Sequence, residues 1–168
     1  MIQGCENPQI DPLLRRAPRV SYRFADVAGT LNEPGTLALF GFAADVPASA
    51  DPRYLQVALE SFDTPAPLEL WQVDGPVSCG RDGALHWASG GGWLFAAIEL
   101  DEREHGGPGV TAQRAYEQLH RFVAARDIRH VLRVWNYLGA INHGDGDAER
   151  YKHFCDGRAA GMGDFFAE

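Results

Sequence analysis

The stretch TAQRAYEQLHRFVAAR, residues 111–126, has the clearest structural pattern in the sequence, and it lies between two apolar stretches, WLFAAIEL at residues 93–100 and HVLRVWNYL at residues 130–138. In the central stretch the apolar side chains recur every three or four positions, which is the spacing of one face of an α-helix. Thr111 has a side chain suited to capping the helix N-terminus. The two neighbours are apolar and of strand length. The order strand, helix, strand predicts a right-handed β–α–β unit with parallel strands.

Shorter apolar stretches precede this unit and are separated by turns; they cover residues 22–27, 36–42, 54–62 and 68–73. Their short connections predict antiparallel strands. Residues 84–88 and 93–100 flank the sequence Ser-Gly-Gly-Gly. This arrangement predicts a β-hairpin rather than a phosphate-binding loop, because a strand and not a helix follows the glycines. Together these patterns predict the α/β class, with a mixed β-sheet flanked by helices.

The chain has 168 residues, which is the size of a single domain. We place that domain over residues 21–168 and expect residues 1–20, which are polar and interrupted by three prolines, to form an irregular N-terminal arm. No apolar run reaches the length of a transmembrane helix, so we expect no membrane partner. The first residues lack the pattern of a signal peptide, so we expect a cytoplasmic protein.

Charge and composition narrow the classes of function. The net charge of −8 argues against nucleic-acid binding. The three cysteines and six histidines show neither CxxC nor HExxH spacing, so we predict no metal site. Lys152 is the only lysine, and all other basic residues are arginines. Either a GC-rich genome or a need for arginines that bind carboxylates through paired hydrogen bonds explains this bias.

Candidate binding residues follow the predicted strand at residues 130–138. In α/β sheets, ligands bind beyond the carboxyl ends of the strands, and Tyr137 lies at such an end. A polar turn at residues 139–147 then leads to a predicted helix at residues 148–162. Arg150, in the first turn of that helix, would form an anion pocket with the free backbone N–H groups. The alternatives are that Tyr137 packs in a core and that Arg150 is a solvated helix residue.

The same predicted helix has three further features. Asp147 is its expected N-cap. Tyr151 and Arg158 are seven residues apart and therefore share one face, where an arginine among apolar side chains needs a partner. Gly157 inside a helix costs about 1 kcal/mol relative to alanine, which indicates the close approach of another group.

The sequence RVWNYLGAIN at residues 133–142, followed by ERYKHFCDGRA at residues 149–159, resembles the chorismatase family. This family includes the chorismate hydrolases and hydroxybenzoate synthases of bacterial aromatic secondary metabolism. The resemblance implies that chorismate is the small-molecule substrate and that neither a metal nor an organic cofactor is needed. Such enzymes cleave the enolpyruvyl ether of chorismate, release pyruvate and leave a hydroxybenzoate or a dihydroxycyclohexadiene carboxylate.

The resemblance also implies which residues bind the substrate. Tyr137 and Arg150 would line the pocket, and Arg158, Asn142 and Tyr151 would be further substrate-binding residues. Members of the family carry their catalytic acid in a second, RidA-like domain, and its motif has no counterpart in these 168 residues. We therefore expect a RidA-like domain of the same or another chain as a partner. We also expect the isolated chain to be inactive, and its catalytic residues are unknown.

Functions of two other classes are compatible with the same residues. One is a non-catalytic module that binds chorismate or another aromatic carboxylate. The other is an assembly module, in which Trp135, Tyr137 and the final Phe165-Phe166 pair cover the core of a partner. Turnover by the chain alone would instead point to Glu149 or Asp156 as the acid.

Overall fold

The computed structural model describes residues 17–43, 46–59, 68–126, 128 and 130–163. The elements within them are β1 (Arg19–Arg23), α1 (Val27–Leu31), β2 (Thr36–Phe42), β3 (Tyr54–Val57), β4 (Leu68–Gln72), β5 (Ser78–Asp82), β6 (Leu85–Gly90), β7 (Trp93–Ile98), α2 (Glu102–His105), α3 (Pro108–Ala124) and α4 (Arg150–Met162). A 3₁₀ turn, Gly146–Ala148, precedes α4. The predicted α/β class is confirmed.

The first sheet contains four strands in the order β1-β4-β2-β3. β2 runs antiparallel to β4 and parallel to β3, with Leu39 opposite Tyr54, so the sheet is mixed as predicted. Six consecutive residues of β2 are buried, because this central strand is covered on both faces. Leu39 and Leu70 are fully buried and belong to a core cluster that includes two side chains of α1.

The strand predicted at residues 22–27 lies earlier in the chain. It is β1, which begins inside the predicted N-terminal arm and ends at Arg23. The extended chain stops there because the Asp26 carboxylate accepts a hydrogen bond from the Gly29 N–H (2.5 Å) and so caps α1. Residues 1–16 of the predicted arm lie outside the described residues.

The second sheet contains β5, β6 and β7 in chain order. β6 and β7 form the predicted hairpin, and Gly91 and Gly92 at its turn have positive φ angles of 58° and 83°, which favour glycine. Sequence patterns missed β5 because its residues, SCGRD, are polar and largely exposed. This strand is defined by its pairing with β6 rather than by an apolar face.

Helices α3 and α4 pack closely against each other. A Cβ atom on Gly157 would overlap the backbone carbonyl of Gly109, and one on Gly161 would overlap the backbone carbonyl of Gln113. The close approach predicted from Gly157 is therefore confirmed, and the group that approaches is the backbone of α3.

Both helices begin at other residues than predicted. α3 begins at Pro108, because the fixed φ of proline suits the first helical turn. Thr111 is therefore no cap, and its hydroxyl donates to the carbonyl of Gly107 (2.7 Å). α4 begins at Arg150, because the preceding residues form the 3₁₀ turn. Asp147 lies in that turn and its side chain is fully exposed, so it does not cap α4.

The strand predicted at residues 130–138 is wrong, and so is the β–α–β unit that depended on it. No strand is assigned to these nine residues, and Leu132 among them is 67% exposed. A strand exists only through hydrogen bonds to a neighbouring strand. Within the described part of the chain, no strand pairs with this segment. The parallel pair is formed by β2 and β3 instead.

Contacts divide the chain into two compact units. The first contains the described residues up to Gly80 together with Trp87–Phe95, and the second contains Arg81–His86 and the described residues from Ala96 onward. Helices α2, α3 and α4 all belong to the second unit. Each helix in the described ranges is too short or too polar to cross a membrane.

Candidate functional site

The candidate site lies in the second unit, where α4 begins. The first residue of α4 is Arg150, and its Nη2 donates to Oε2 of Glu102 (2.7 Å) and to the carbonyl of Gly139 (3.1 Å). The hydrogen bond to Glu102 is the main cause of a raised pKa at Arg150. The guanidinium therefore stays cationic and joins three segments: α2, the turn after residues 130–138, and α4.

The Arg150 guanidinium is largely withdrawn from solvent, with 23% of the side chain exposed. Its Nε atom is buried and has no hydrogen-bond partner among the described residues. This low exposure and the two hydrogen bonds of the guanidinium argue against the alternative interpretation of Arg150 as a solvated helix residue. A fixed, partly desolvated guanidinium is a group that binds carboxylates strongly.

The turn that leads into α4 folds back on itself. The His143 N–H donates to the carbonyl of Ala140 (3.0 Å), and the Arg150 N–H donates to the carbonyl of His143 (2.9 Å). Gly144 has a φ of 94°, and a Cβ atom there would overlap the carbonyl of Ala148. Since its backbone N–H is occupied, Arg150 contributes to the expected anion pocket through its side chain alone.

Tyr137 and Asn142 lie on exposed backbone before and within this turn. Tyr137 is 44% exposed, which argues against the alternative that it packs in a core. The residue before it, Asn136, accepts a hydrogen bond from the Tyr116 hydroxyl of α3 (2.8 Å). Residues 130–138 are therefore attached to α3 by a side chain and not to a sheet by their backbone.

Tyr151 and Arg158 form a separate group on α4. The neighbouring thiol of Cys155 raises the pKa of Tyr151, and the charge of Arg158 acts in the opposite direction. Both Tyr151 and Arg158 are exposed. Since α4 is helical throughout, the two residues share one face of it, as their spacing predicted. The side-chain hydrogen bonds of Arg150 within the described ranges go to Glu102 and Gly139 and not to this group.

Glu102 and Gly139 were not predicted from the sequence as partners of Arg150. Glu102 precedes Arg150 by 48 residues, with the whole of α3 between them, so no motif spacing connects the two. Gly139 lies inside the quoted motif but contributes a backbone carbonyl, which no side-chain pattern reveals. Over the described part of the chain, no group of three acidic, histidine or cysteine side chains is arranged to hold a metal ion.

Comparison with known proteins assigns a family to the region that contains this site. The family described as "Chorismatase FkbO/Hyg5-like, N-terminal" matches residues 69–168, which include Glu102, Gly139 and Arg150. The chain belongs to this chorismatase family. The resemblance found in the two sequence motifs is thereby confirmed.

Two chorismatases are similar to this chain over different lengths. A chorismatase of Streptomyces hygroscopicus is 29% identical over 101 residues, which cover 60% of this chain and 29% of that protein. A chorismatase crystal structure matches with a TM-score of 0.72 over 91% of this chain and 47% of that chain, at 23% identity, and shows the likeness of the fold. The chain spans less than half the length of either chorismatase.

Proposed function

We propose that this chorismatase-family chain binds chorismate at Arg150 and takes part in the cleavage of its enolpyruvyl ether. The observation that carries the proposal is the partly buried guanidinium of Arg150, fixed by Glu102 and Gly139. Chorismate has two carboxylates, and arginine binds a carboxylate through charge-assisted hydrogen bonds. Because the chain has a net charge of −8, a dianion needs such a local cation in order to bind.

Further substrate contacts are proposed for four residues of the two motifs, on the strength of the family resemblance: Tyr137, Asn142, Tyr151 and Arg158. The first two are exposed beside the turn that contacts Arg150, and the other two share a face of α4. Arg158 would serve the second carboxylate of chorismate, because one guanidinium pairs with one carboxylate.

The proposed reaction begins when an acid protonates the methylene carbon of the enolpyruvyl group. Water adds to the resulting oxocarbenium ion, the ether C–O bond breaks with return of a proton, and pyruvate and a dihydroxycyclohexadiene carboxylate are formed. When a ring hydroxyl reacts in place of water, the ring C–O bond of the ether breaks, pyruvate leaves with the bonding electrons, and the ring loses a proton to become a hydroxybenzoate, so that no water is consumed. The protein must hold the substrate carboxylates still while the proton is transferred, which is the role we assign to Arg150.

The acid is proposed to come from a second, RidA-like domain of the same or another chain. This proposal is supported by Glu102, the carboxylate that contacts Arg150, because Glu102 is engaged as a hydrogen-bond acceptor and not as a proton donor. Several large apolar side chains around the motif are also exposed and would suit a covering surface; they are Val131, Leu132, Val134, Tyr137 and Ile141. We expect the assembled protein to act in the cytoplasm.

The test uses the 168-residue chain in two assays: calorimetric titration with chorismate, and pyruvate release coupled to lactate dehydrogenase. We expect the chain to bind chorismate, Arg150→Ala to abolish binding, and Arg121→Ala, an exposed arginine of α3, to leave it unchanged. We also expect no pyruvate from the chain alone. Absence of binding, or equal binding by Arg150→Ala, would overturn the proposal.

A second candidate function is a non-catalytic binding or assembly module, and the exposed apolar side chains around residues 131–141 favour it. Chorismate binding that never leads to pyruvate, even when a RidA-like domain is supplied, would identify a binding module. Self-association without any chorismate binding would identify an assembly module. Pyruvate release by the chain alone that is lost in Arg150→Ala would instead locate the acid in this chain, at Glu149 or Asp156.

A further inference from the structure

We infer that Glu102 is a positioning residue for Arg150, which determines the edge of the guanidinium that a substrate carboxylate meets. This inference rests on the proposed function. The Glu102 carboxylate lies 2.7 Å from Nη2 of Arg150, and the carbonyl of Gly139 lies 3.1 Å from the same nitrogen. Both side chains of the ion pair are partly withdrawn from solvent, with 23% of Arg150 and 32% of Glu102 exposed.

The hydrogen-bond capacity of the guanidinium determines which of its nitrogens a substrate carboxylate can meet. Nη2 has two hydrogens, and the two acceptors, Glu102 and Gly139, use both. Nε has one hydrogen, but it is buried and has no partner among the described residues. A carboxylate that approaches Arg150 in this arrangement is therefore met by Nη1. Without Glu102, Nη2 loses its charged acceptor and the guanidinium is free to rotate.

Glu102 can position Arg150 because its own helix is held at both ends. At the start of α2, the Asp101 carboxylate accepts hydrogen bonds from the backbone N–H (2.9 Å) and the guanidinium of Arg103. These bonds lower the pKa of Asp101 to about 2, so this cap stays ionised at neutral pH. At the end of α2, Nη1 of Arg114 from α3 donates to Nδ1 of His105 (2.9 Å).

A carboxylate beside an arginine could also compete with the substrate, and the two roles predict opposite results. As a competitor, Glu102 would occupy the place of a substrate carboxylate, and its removal would tighten binding. If Glu102 is a positioning residue, its removal weakens the binding of substrate, since the guanidinium of Arg150 must then become ordered when the substrate binds. The shared use of Nη2 by Glu102 and Gly139 favours positioning, because the pair holds the guanidinium from one side.

The test is calorimetric titration of chorismate into the 168-residue chain and its Glu102→Ala, Glu102→Gln and Glu104→Ala variants. We expect about tenfold weaker binding for Glu102→Ala, the cost of one hydrogen bond to a charged group. Glu102→Gln should lie between this variant and the wild type, because its amide oxygen still accepts from Nη2. Glu104→Ala removes the same charge from an exposed position of α2 and should bind as the wild type does.

Unchanged or tighter binding by Glu102→Ala, together with loss of binding in Arg150→Ala, would overturn the positioning role and leave the proposed function intact. Absence of binding by the wild type would overturn the proposed function. In that case the inference is tested without a ligand, by NMR relaxation of the ¹⁵Nε–¹Hε group of Arg150. The signal of this group is assigned as the one that is absent from the spectrum of Arg150→Lys. We expect a rigid signal in the wild type and Glu104→Ala and a mobile one in Glu102→Ala. Equal rigidity in all three would overturn the inference.

Discussion

Residues 36–42 and residues 130–138 have the same sequence pattern for a strand but different structures. TLALFGF and HVLRVWNYL are both apolar and of strand length. The first is β2, the central strand of the mixed sheet, with neighbours on both edges and six buried residues. The second forms no strand and exposes most of its side chains. The difference shows that an apolar stretch predicts a strand only where another strand is available to complete its hydrogen bonds.

The two segments are also held by different kinds of contact. β2 is fixed by backbone hydrogen bonds to β3 and β4 and by the packing of α1. Residues 130–138 are attached through the side-chain hydrogen bond between Tyr116 and Asn136 and through contacts around the turn at Gly139. Four apolar side chains of this second segment are exposed, namely Val131, Leu132, Val134 and Tyr137, and they belong to the surface we propose for a second domain.

Matched leucine truncations in the two segments should have very different effects on stability. Leu39 in β2 is 0% exposed and Leu132 in the irregular segment is 67% exposed. Leu39→Ala should lower the free energy of unfolding by about 2–5 kcal/mol, because it removes buried apolar surface and leaves a cavity. Leu132→Ala should change it by less than about 0.5 kcal/mol. Urea denaturation followed by circular dichroism measures both, and equal losses would show that residues 130–138 are buried in solution.

A substitution at the interface of α3 and α4 tests the packing that holds the second unit together where the predicted strand is absent. Gly157→Ala should destabilise the chain by about 1–3 kcal/mol, since its Cβ would overlap the carbonyl of Gly109. Helix propensity alone predicts the opposite, a gain of about 1 kcal/mol. Asp156→Ala, at the exposed neighbouring position, is the control and should stay within about 0.5 kcal/mol. A rise in the melting temperature of Gly157→Ala would contradict the observed packing.

Features with a local steric or turn signature were predictable from the sequence. Gly157 was expected to mark a close approach, and the backbone of Gly109 is the group that approaches. The glycines between β6 and β7 were expected to form a hairpin turn, and Gly91 and Gly92 adopt positive φ angles there. In each case the local backbone conformation or packing favours glycine, so the presence of glycine predicts the feature without knowledge of distant parts of the chain.

Features that depend on a distant partner were not predictable in the same way. β5 is polar and exists through its pairing with β6, so its sequence has no apolar pattern. At the candidate site, Arg150 was identified from its motif, but Glu102 and Gly139 become its partners only after α3 and α4 have packed. The family resemblance identified a binding residue, and the structure supplied the groups that orient it.

The smallest expected effect concerns the hydrogen bond that attaches residues 130–138 to α3. Tyr116→Phe removes the donor to Asn136 and should lower the local stability by about 0.5–1.5 kcal/mol, the net value of one such bond. Amide hydrogen exchange of residues 130–138 should become about two- to tenfold faster, because these residues have no strand pairing to protect them. Asn136→Ala should cause the same increase, and the double variant should add nothing further, since both remove one interaction. Additive effects would show that Tyr116 and Asn136 hold the segment through separate contacts. Exchange of β2 should be unaffected in all three variants, because its protection comes from β3 and β4.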